Sequence, residues 1–232
     1  MRQGELRFTS ERRGGRREGA GRPKRPDSGV PHVRRAALAS RYPVHATLRL
    51  LGGLPSLRRK ATHAVLRRAL AAGRDRNGLR LAHFSIQRDH LHLIVEAKDR
   101  TALARGMQGL SIRLAKALNR AWGRKGTVFA DRYHAEILRS PRQVRNALAY
   151  VLRNGARHGV PRRGIDDYSS GPWFDGWEEE VVLVNEPDEP RPIARARTWL
   201  LTEGWRRHGP IPFDHVPGRA ADRRRARSRT AG

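Results

Sequence analysis

The sequence contains no cysteine. Disulfide bonds and metal sites built from thiolates are therefore excluded. No apolar run approaches the length of a membrane-spanning helix, and the N-terminus lacks the apolar core of a secretion signal. These absences predict a cytoplasmic protein.

Acidic residues are scarce as well. The chain has 22 of them against 49 basic residues, which gives a formal net charge of +27. This balance predicts a polyanionic partner, because each phosphate that Arg or Lys neutralises releases condensed counterions. The alternatives are a ribosomal protein and a membrane-surface protein attracted to anionic lipid. No basic amphipathic segment favours the membrane, so nucleic acid is the predicted partner.

Residues 1–38 contain few large apolar side chains and are predicted to form a disordered basic arm. Within the arm, residues 19–26 read Gly-Ala-Gly-Arg-Pro-Lys-Arg-Pro and resemble an AT-hook. Such an element lies extended in a narrow minor groove, whose negative potential favours inserted cations. Arg22, Lys24 and Arg25 are therefore predicted to contact DNA. The alternative is a plain basic tail.

The ordered region is predicted from the periodicity of its apolar residues. Alternation by two indicates strands, and spacing of three and four indicates helices. The predicted elements are, in chain order, a strand at 42–51, a helix ending at Gly73, strands at 79–87 and 90–97, a helix at 101–122, a strand at 128–138 and a helix from Pro141 to about Asn154. The first six of these elements match the split βαβ arrangement. The predicted fold class is α+β, a ferredoxin-like antiparallel sheet with helices on one face.

Three further segments complete the predicted organisation. Residues 39–160 form the main domain, and residues 161–218 form a C-terminal extension with one helix at 194–207. Its tryptophans are typical of a packed appendage, the alternative being a base-stacking platform. Residues 219–232 form a basic tail.

The strand at 90–97 carries the first chemical signal. His90 and His92 are two residues apart, so both side chains project from the same face of the strand. Leu91, Leu93 and Val95 occupy the opposite face and are predicted to pack under the helices. Two imidazoles at this spacing can chelate one divalent cation. The alternative is a pair of surface histidines.

The helix that begins at Pro141 carries the second signal. Ser140 is a favourable N-cap, and proline is favourable in the first turn. An apolar stripe runs along the helix at Val144, Leu148, Val151 and Leu152. Tyr150 and Asn154 are four residues apart and share a face away from that stripe. The alternative is an exposed ring with no role.

Together, these residues resemble a known family. His90-Leu91-His92 matches the His-hydrophobe-His motif of the HUH nucleases. The run from Tyr150 to Asn154 resembles the tyrosine helix of the single-tyrosine transposases, especially the REP-associated tyrosine transposases. The segment 129–133, Phe-Ala-Asp-Arg-Tyr, is also similar to that branch. The resemblance covers residues 40–160.

The resemblance implies a reaction and a ligand set. His90, His92 and Asn154 would bind Mg²⁺ or Mn²⁺, and Tyr150 would attack the scissile phosphate of single-stranded, hairpin-bearing DNA. The product would be a 5′-phosphotyrosine with a free 3′-hydroxyl. The hairpin would be a repetitive extragenic palindrome, and the protein a bacterial, nucleoid-associated monomer or homodimer.

The sequence departs from the family pattern at the end of this helix. Asn154 stands where insertion-sequence relatives carry Gln, and Gly155 stands where the REP-associated branch carries Pro. Tyr133 is a rival nucleophile, predicted instead to stack on DNA or to pack near the site. Arg132 is predicted to contact DNA phosphate. Two other functions stay open: a nucleic-acid-binding protein without chemistry, and a replication initiator or relaxase.

Overall fold

A computed structural model describes residues 36–157, 164–181 and 190–215. The AT-hook-like element with Arg22, Lys24 and Arg25 lies outside these residues, as does the basic tail from 219. None of the described helices is long and apolar enough to cross a membrane.

The described residues form one five-stranded antiparallel sheet with helices packed on it. The elements are β1 (Val44–Arg49), α1 (Lys60–Gly73), β2 (Asp75–Arg76), β3 (Leu79–Ile86), β4 (His90–Ala97), α2 (Arg100–Ala121), β5 (His134–Ile137), α3 (Pro141–Arg153) and α4 (Trp199–Thr202). The strand order is β2-β3-β4-β1-β5. The α+β fold class predicted from the sequence is confirmed.

The centre of the sheet is the β3–β4 hairpin. Its turn is closed by a hydrogen bond from the backbone N–H of Gln87 to the carbonyl oxygen of His90. Leu91, Leu93 and Val95 are fully buried against α1 and α2. The predicted division of β4 into a helix-packed face and a histidine face is therefore observed.

The opposite face of the sheet is covered by α3. The sequence predicted helices on one face, which holds for α1 and α2, whereas α3 packs against Ala82 and Ile94 on the other face. The reason is that β3 and β4 are buried on both faces, so the apolar side chains beside the histidines also need a cover. The stripe of α3 supplies this cover, since Val144 and Leu148 are completely buried.

The start of α3 follows its sequence signals. The side chain of Ser140 accepts a hydrogen bond from the backbone N–H of Gln143, and Pro141 occupies the first turn, where no N–H partner is needed. The helix ends at Arg153, and Asn154 opens a 3₁₀ turn. This places Tyr150 in the last turn of the helix.

Two predicted elements are shorter in the structure. The strand predicted at 128–138 is reduced to β5, and Phe129 makes only an isolated bridge to Leu50. The helix predicted at 194–207 is replaced by α4 and a 3₁₀ turn, Gly204–His208. Gly204 disfavours helix continuation, and it lies so close to the Trp199 ring that a Cβ there would be 2.8 Å from it.

The C-terminal segments are packed onto the sheet and α3. Asp166, which is 4% exposed, forms a two-point salt bridge with the Arg58 guanidinium at 2.8 and 2.9 Å. Trp177 and Trp205 are buried in the same core cluster as the α3 stripe. Most tryptophans of the extension thus stabilise the fold, whereas Trp199 is 49% exposed.

His83 on β3 predicts a dependence of stability on pH. Burial lowers its pKa from the usual 6.5 to about 4, against a weaker opposing effect of Asp175. Between these pH values the unfolded chain binds the proton and the folded chain does not, so stability is lost as the pH falls. We expect the free energy of unfolding to drop by about 2 kcal/mol between pH 7 and pH 5 on account of this group. Urea unfolding at both pH values measures it.

The matched comparison for this prediction is His83→Gln against His208→Gln. His83→Gln keeps a polar group beside the Ser170 hydroxyl, which lies 3.2 Å from His83 Nδ1. It should flatten the pH dependence by that amount, whereas His208→Gln, at an exposed position of the Gly204–His208 turn, should leave it unchanged. Equal slopes in both variants would contradict the assignment to His83.

Candidate active site

The histidine pair lies on the β4 face that α3 covers. The Nε2 atoms of His90 and His92 are 3.1 Å apart, and their rings are nearly perpendicular. His92 is buried, with 5% of its side chain exposed, and His90 is half-buried. Both nitrogens therefore point at the same small volume.

Asp89 orients the first imidazole. Its carboxylate lies 2.7 Å from His90 Nδ1, and this hydrogen bond is the main cause that lowers the pKa of the Asp89 carboxyl. A carboxylate can only accept, so Nδ1 carries the hydrogen, and in the neutral imidazole Nε2 keeps its lone pair. A carboxylate behind an imidazole is the usual support of a metal-binding histidine.

The second imidazole is supported from β1. His92 Nδ1 lies 3.1 Å from His45 Nε2 and 3.2 Å from Thr47 Oγ1. If Nδ1 donates to either atom, Nε2 of His92 also keeps its lone pair. Burial, followed by the nearby His134, lowers the pKa of His45 to about 4. His45 is accordingly neutral at pH 7 and able to accept that hydrogen bond.

Sequence analysis did not identify His45 and Thr47 as site residues. The signal was present, because both alternate with the buried Val44, Ala46 and Leu48 and therefore share the outer face of β1. What was missing is the register, which places Thr47 directly opposite His92. Neighbouring strands cannot be aligned from alternation alone.

Tyr150 reaches the same place from α3. Its ring centroid is 5.0 Å from that of His92 and 5.8 Å from that of His45, both in edge-on orientation. The ring is half-buried. The structure thus brings together the tyrosine and both histidines singled out in the sequence.

Asn154 follows one turn after Tyr150. It is 2% exposed, and its Nδ2 has no hydrogen-bond partner among the described residues. No hydrogen bond joins its side chain to His90 or His92 in the described part of the chain. The unused atom is a hydrogen-bond donor, so it offers capacity for an acceptor such as a phosphate oxygen, whereas a cation would bind the amide oxygen.

The remaining predicted residues lie apart from this cluster. Tyr133 is 8% exposed and belongs to the core cluster beneath α1 and α2, on the other side of the sheet. Its burial favours the packing alternative over stacking on DNA. Arg132 is exposed. His134 is exposed on β5 opposite Thr47, on the histidine face.

The arrangement suits a divalent cation. Two ligands at right angles, each about 2.1 Å from an ion, are about 3 Å apart, which matches the separation of the two Nε2 atoms. The described residues include no group of three His, Asp or Glu side chains able to hold a metal. Asn154 is the amide that the family resemblance implies as a third protein ligand.

A family comparison bears directly on this cluster. Residues 56–154 match the family model described as "Transposase IS200 like". The predicted resemblance to the single-tyrosine transposases is confirmed. The transposase-like segment contains His90, His92 and Tyr150 and ends on Asn154, whereas β1 with His45 and Thr47 precedes it. Transposases of this family cleave and join DNA strands.

One solved structure with a similar fold is a REP-associated tyrosine transposase bound to a REP hairpin, with 16% sequence identity and a TM-score of 0.47. The similarity covers 61% of this chain and 82% of that one. No curated protein matches the chain.

Proposed function

We propose that this protein cleaves and rejoins single-stranded, hairpin-bearing DNA through a covalent bond to Tyr150. The observation that carries the proposal is the contact of the Tyr150 ring with His92, at a centroid distance of 5.0 Å. A phenol beside two imidazoles that share one small volume is suited to a metal-assisted phosphoryl transfer.

The proposed step is a transfer of the phosphoryl group to the tyrosine. The Oη atom of Tyr150 forms a bond to the scissile phosphorus while the bond from phosphorus to the 3′ oxygen breaks. The phenol loses its proton, and the departing 3′ oxygen gains one. The products are a 5′-phosphotyrosine and a free 3′-hydroxyl, and the reverse step rejoins a strand.

His90, His92 and Asn154 are the proposed ligands of Mg²⁺ or Mn²⁺. When bound, the cation would neutralise charge that develops on the phosphoryl oxygens. Asp89 holds His90 in the tautomer that this requires, and His45 with Thr47 does the same for His92. Imidazole and amide are weak ligands for Mg²⁺, so metal affinity without DNA should be low.

The DNA contacts are proposed from charge and exposure. Arg132 is exposed and would contact a phosphate, and Arg22, Lys24 and Arg25 of the arm would add contacts along the strand. The resemblance of the tyrosine helix to the REP-associated branch supports a palindromic hairpin as the substrate. A monomer or a homodimer is compatible with this proposal.

The proposal is tested with a hairpin-bearing single strand labelled at its 3′ end. The full chain and Mn²⁺ should convert the label into a protease-sensitive species that migrates slowly on a denaturing gel. The same strand labelled at its 5′ end should give only a shorter free fragment. EDTA should abolish both products. Binding without any adduct would instead identify a non-catalytic DNA-binding protein.

A further inference from the structure

Two polar residues of β3 and its turn lie beside the histidine pair. Ser85 is directly opposite His92 in the β3–β4 register, and Gln87 bonds through its backbone to His90. Side chains directly opposite each other share a face, with Cβ atoms about 4.5–5.5 Å apart. Ser85 and Gln87 therefore flank the histidines on one side, as His45 and Thr47 do on the other.

The Gln87 amide is buried and only partly satisfied. The residue is 1% exposed, and its Nε2 donates to the hydroxyl of Ser85. Its Oε1 has no hydrogen-bond partner among the described residues. Burying a carbonyl oxygen without a partner is unfavourable, and such a group calls for a ligand, ion or water.

We infer that Gln87 supplies an oxygen ligand to the cation held by His90 and His92. The inference rests on the proposed function, because it concerns the same cation. The geometry points to this role for three reasons: the amide shares the histidine face, its oxygen is unused, and Ser85 holds the amide nitrogen.

The chemistry of the ligand set supports the same assignment. Mg²⁺ and Mn²⁺ prefer oxygen ligands and six-fold coordination. Two imidazoles and the Asn154 amide provide a single protein oxygen, and no carboxylate completes a metal cluster in the described residues. With Gln87, the protein would provide as many oxygen ligands as nitrogen ligands. The other coordination positions of the cation would be left for water and a phosphate oxygen.

The test measures Mn²⁺ binding to the full chain without DNA, from the electron paramagnetic resonance signal of free Mn²⁺. Gln87→Glu keeps the shape and adds a charge, and it should tighten binding about tenfold or more. Gln87→Leu should weaken binding about tenfold. Gln108→Glu and Gln108→Leu are matched controls, because Gln108 is exposed on α2, and they should bind as the unaltered chain does.

The outcomes separate this inference from the proposal on which it rests. If His90→Ala loses Mn²⁺ while both Gln87 variants bind normally, the cation site stands and the role of Gln87 is overturned. If His90→Ala binds Mn²⁺ as well as the unaltered chain, the proposed cation site itself fails. Gln87→Glu is nearly isosteric, so a folding defect in Gln87→Leu leaves the decisive measurement intact.

Discussion

Tyr150→Phe is expected to abolish the covalent protein–DNA adduct. The substitution removes only the oxygen that would attack phosphorus, so the loss should exceed about 10⁴-fold, as for other nucleophiles. The remaining ring keeps its edge-on contacts with His92 and His45. It also keeps its packing against the core cluster that contains the apolar stripe of α3. Hairpin affinity and thermal stability should therefore stay close to those of the unaltered chain. Adduct yield and a binding titration on the same strand measure the two effects.

Tyr133→Phe is the matched control for this variant. Tyr133 lies under α1 and α2, on the side of the sheet away from the histidines. Its substitution should leave the adduct in place. An adduct that survives in Tyr150→Phe and vanishes in Tyr133→Phe would reverse the assignment of the nucleophile.

The parts of the site that were predictable from sequence are those that depend on local periodicity. The spacing of His90 and His92 fixes their common face, because side chains alternate along a strand. The spacing of Tyr150 and Asn154 fixes a helical face in the same way. Ser140 and Pro141 mark the start of α3, and the structure begins the helix there.

The parts that were not predictable depend on alignment between elements. The β1–β4 register places His45 and Thr47 beside His92. The β3–β4 turn places Gln87 beside His90. Alternation along one strand carries no information about its position relative to the next strand. The sequence therefore indicated the histidines of β4 and the tyrosine of α3, but not the residues that β1 and β3 place on either side of the histidines.

The position of α3 shows a second limit of sequence patterns. Its apolar stripe predicts that the helix is buried on one side, but not which face of the sheet it covers. The face that α3 covers is determined by Ile94 and Ala82, which are buried on the histidine face of the sheet. Only from that face can Tyr150 reach His92.

His90→Ala and His92→Ala are each expected to reduce adduct formation by at least about a thousandfold in Mn²⁺. Each removes one of the two Nε2 atoms that lie 3.1 Å apart, so only one imidazole would remain beside the proposed amide ligands. The double variant should be no worse than about tenfold below either single one, because groups that act as a unit give non-additive losses.

His134→Ala provides the control for the histidine variants, since His134 lies on the same face of the sheet but on the exposed strand β5. It should retain adduct formation. Full activity in His92→Ala would mean that the imidazole beside Tyr150 serves only to pack the ring. Tyr150→Phe preserves that packing and removes the oxygen. Comparing Tyr150→Phe with His92→Ala therefore shows whether the contact between the two side chains is structural or takes part in the reaction. Loss in both variants, with binding retained in both, would leave the phenol and the imidazole as partners in one reaction.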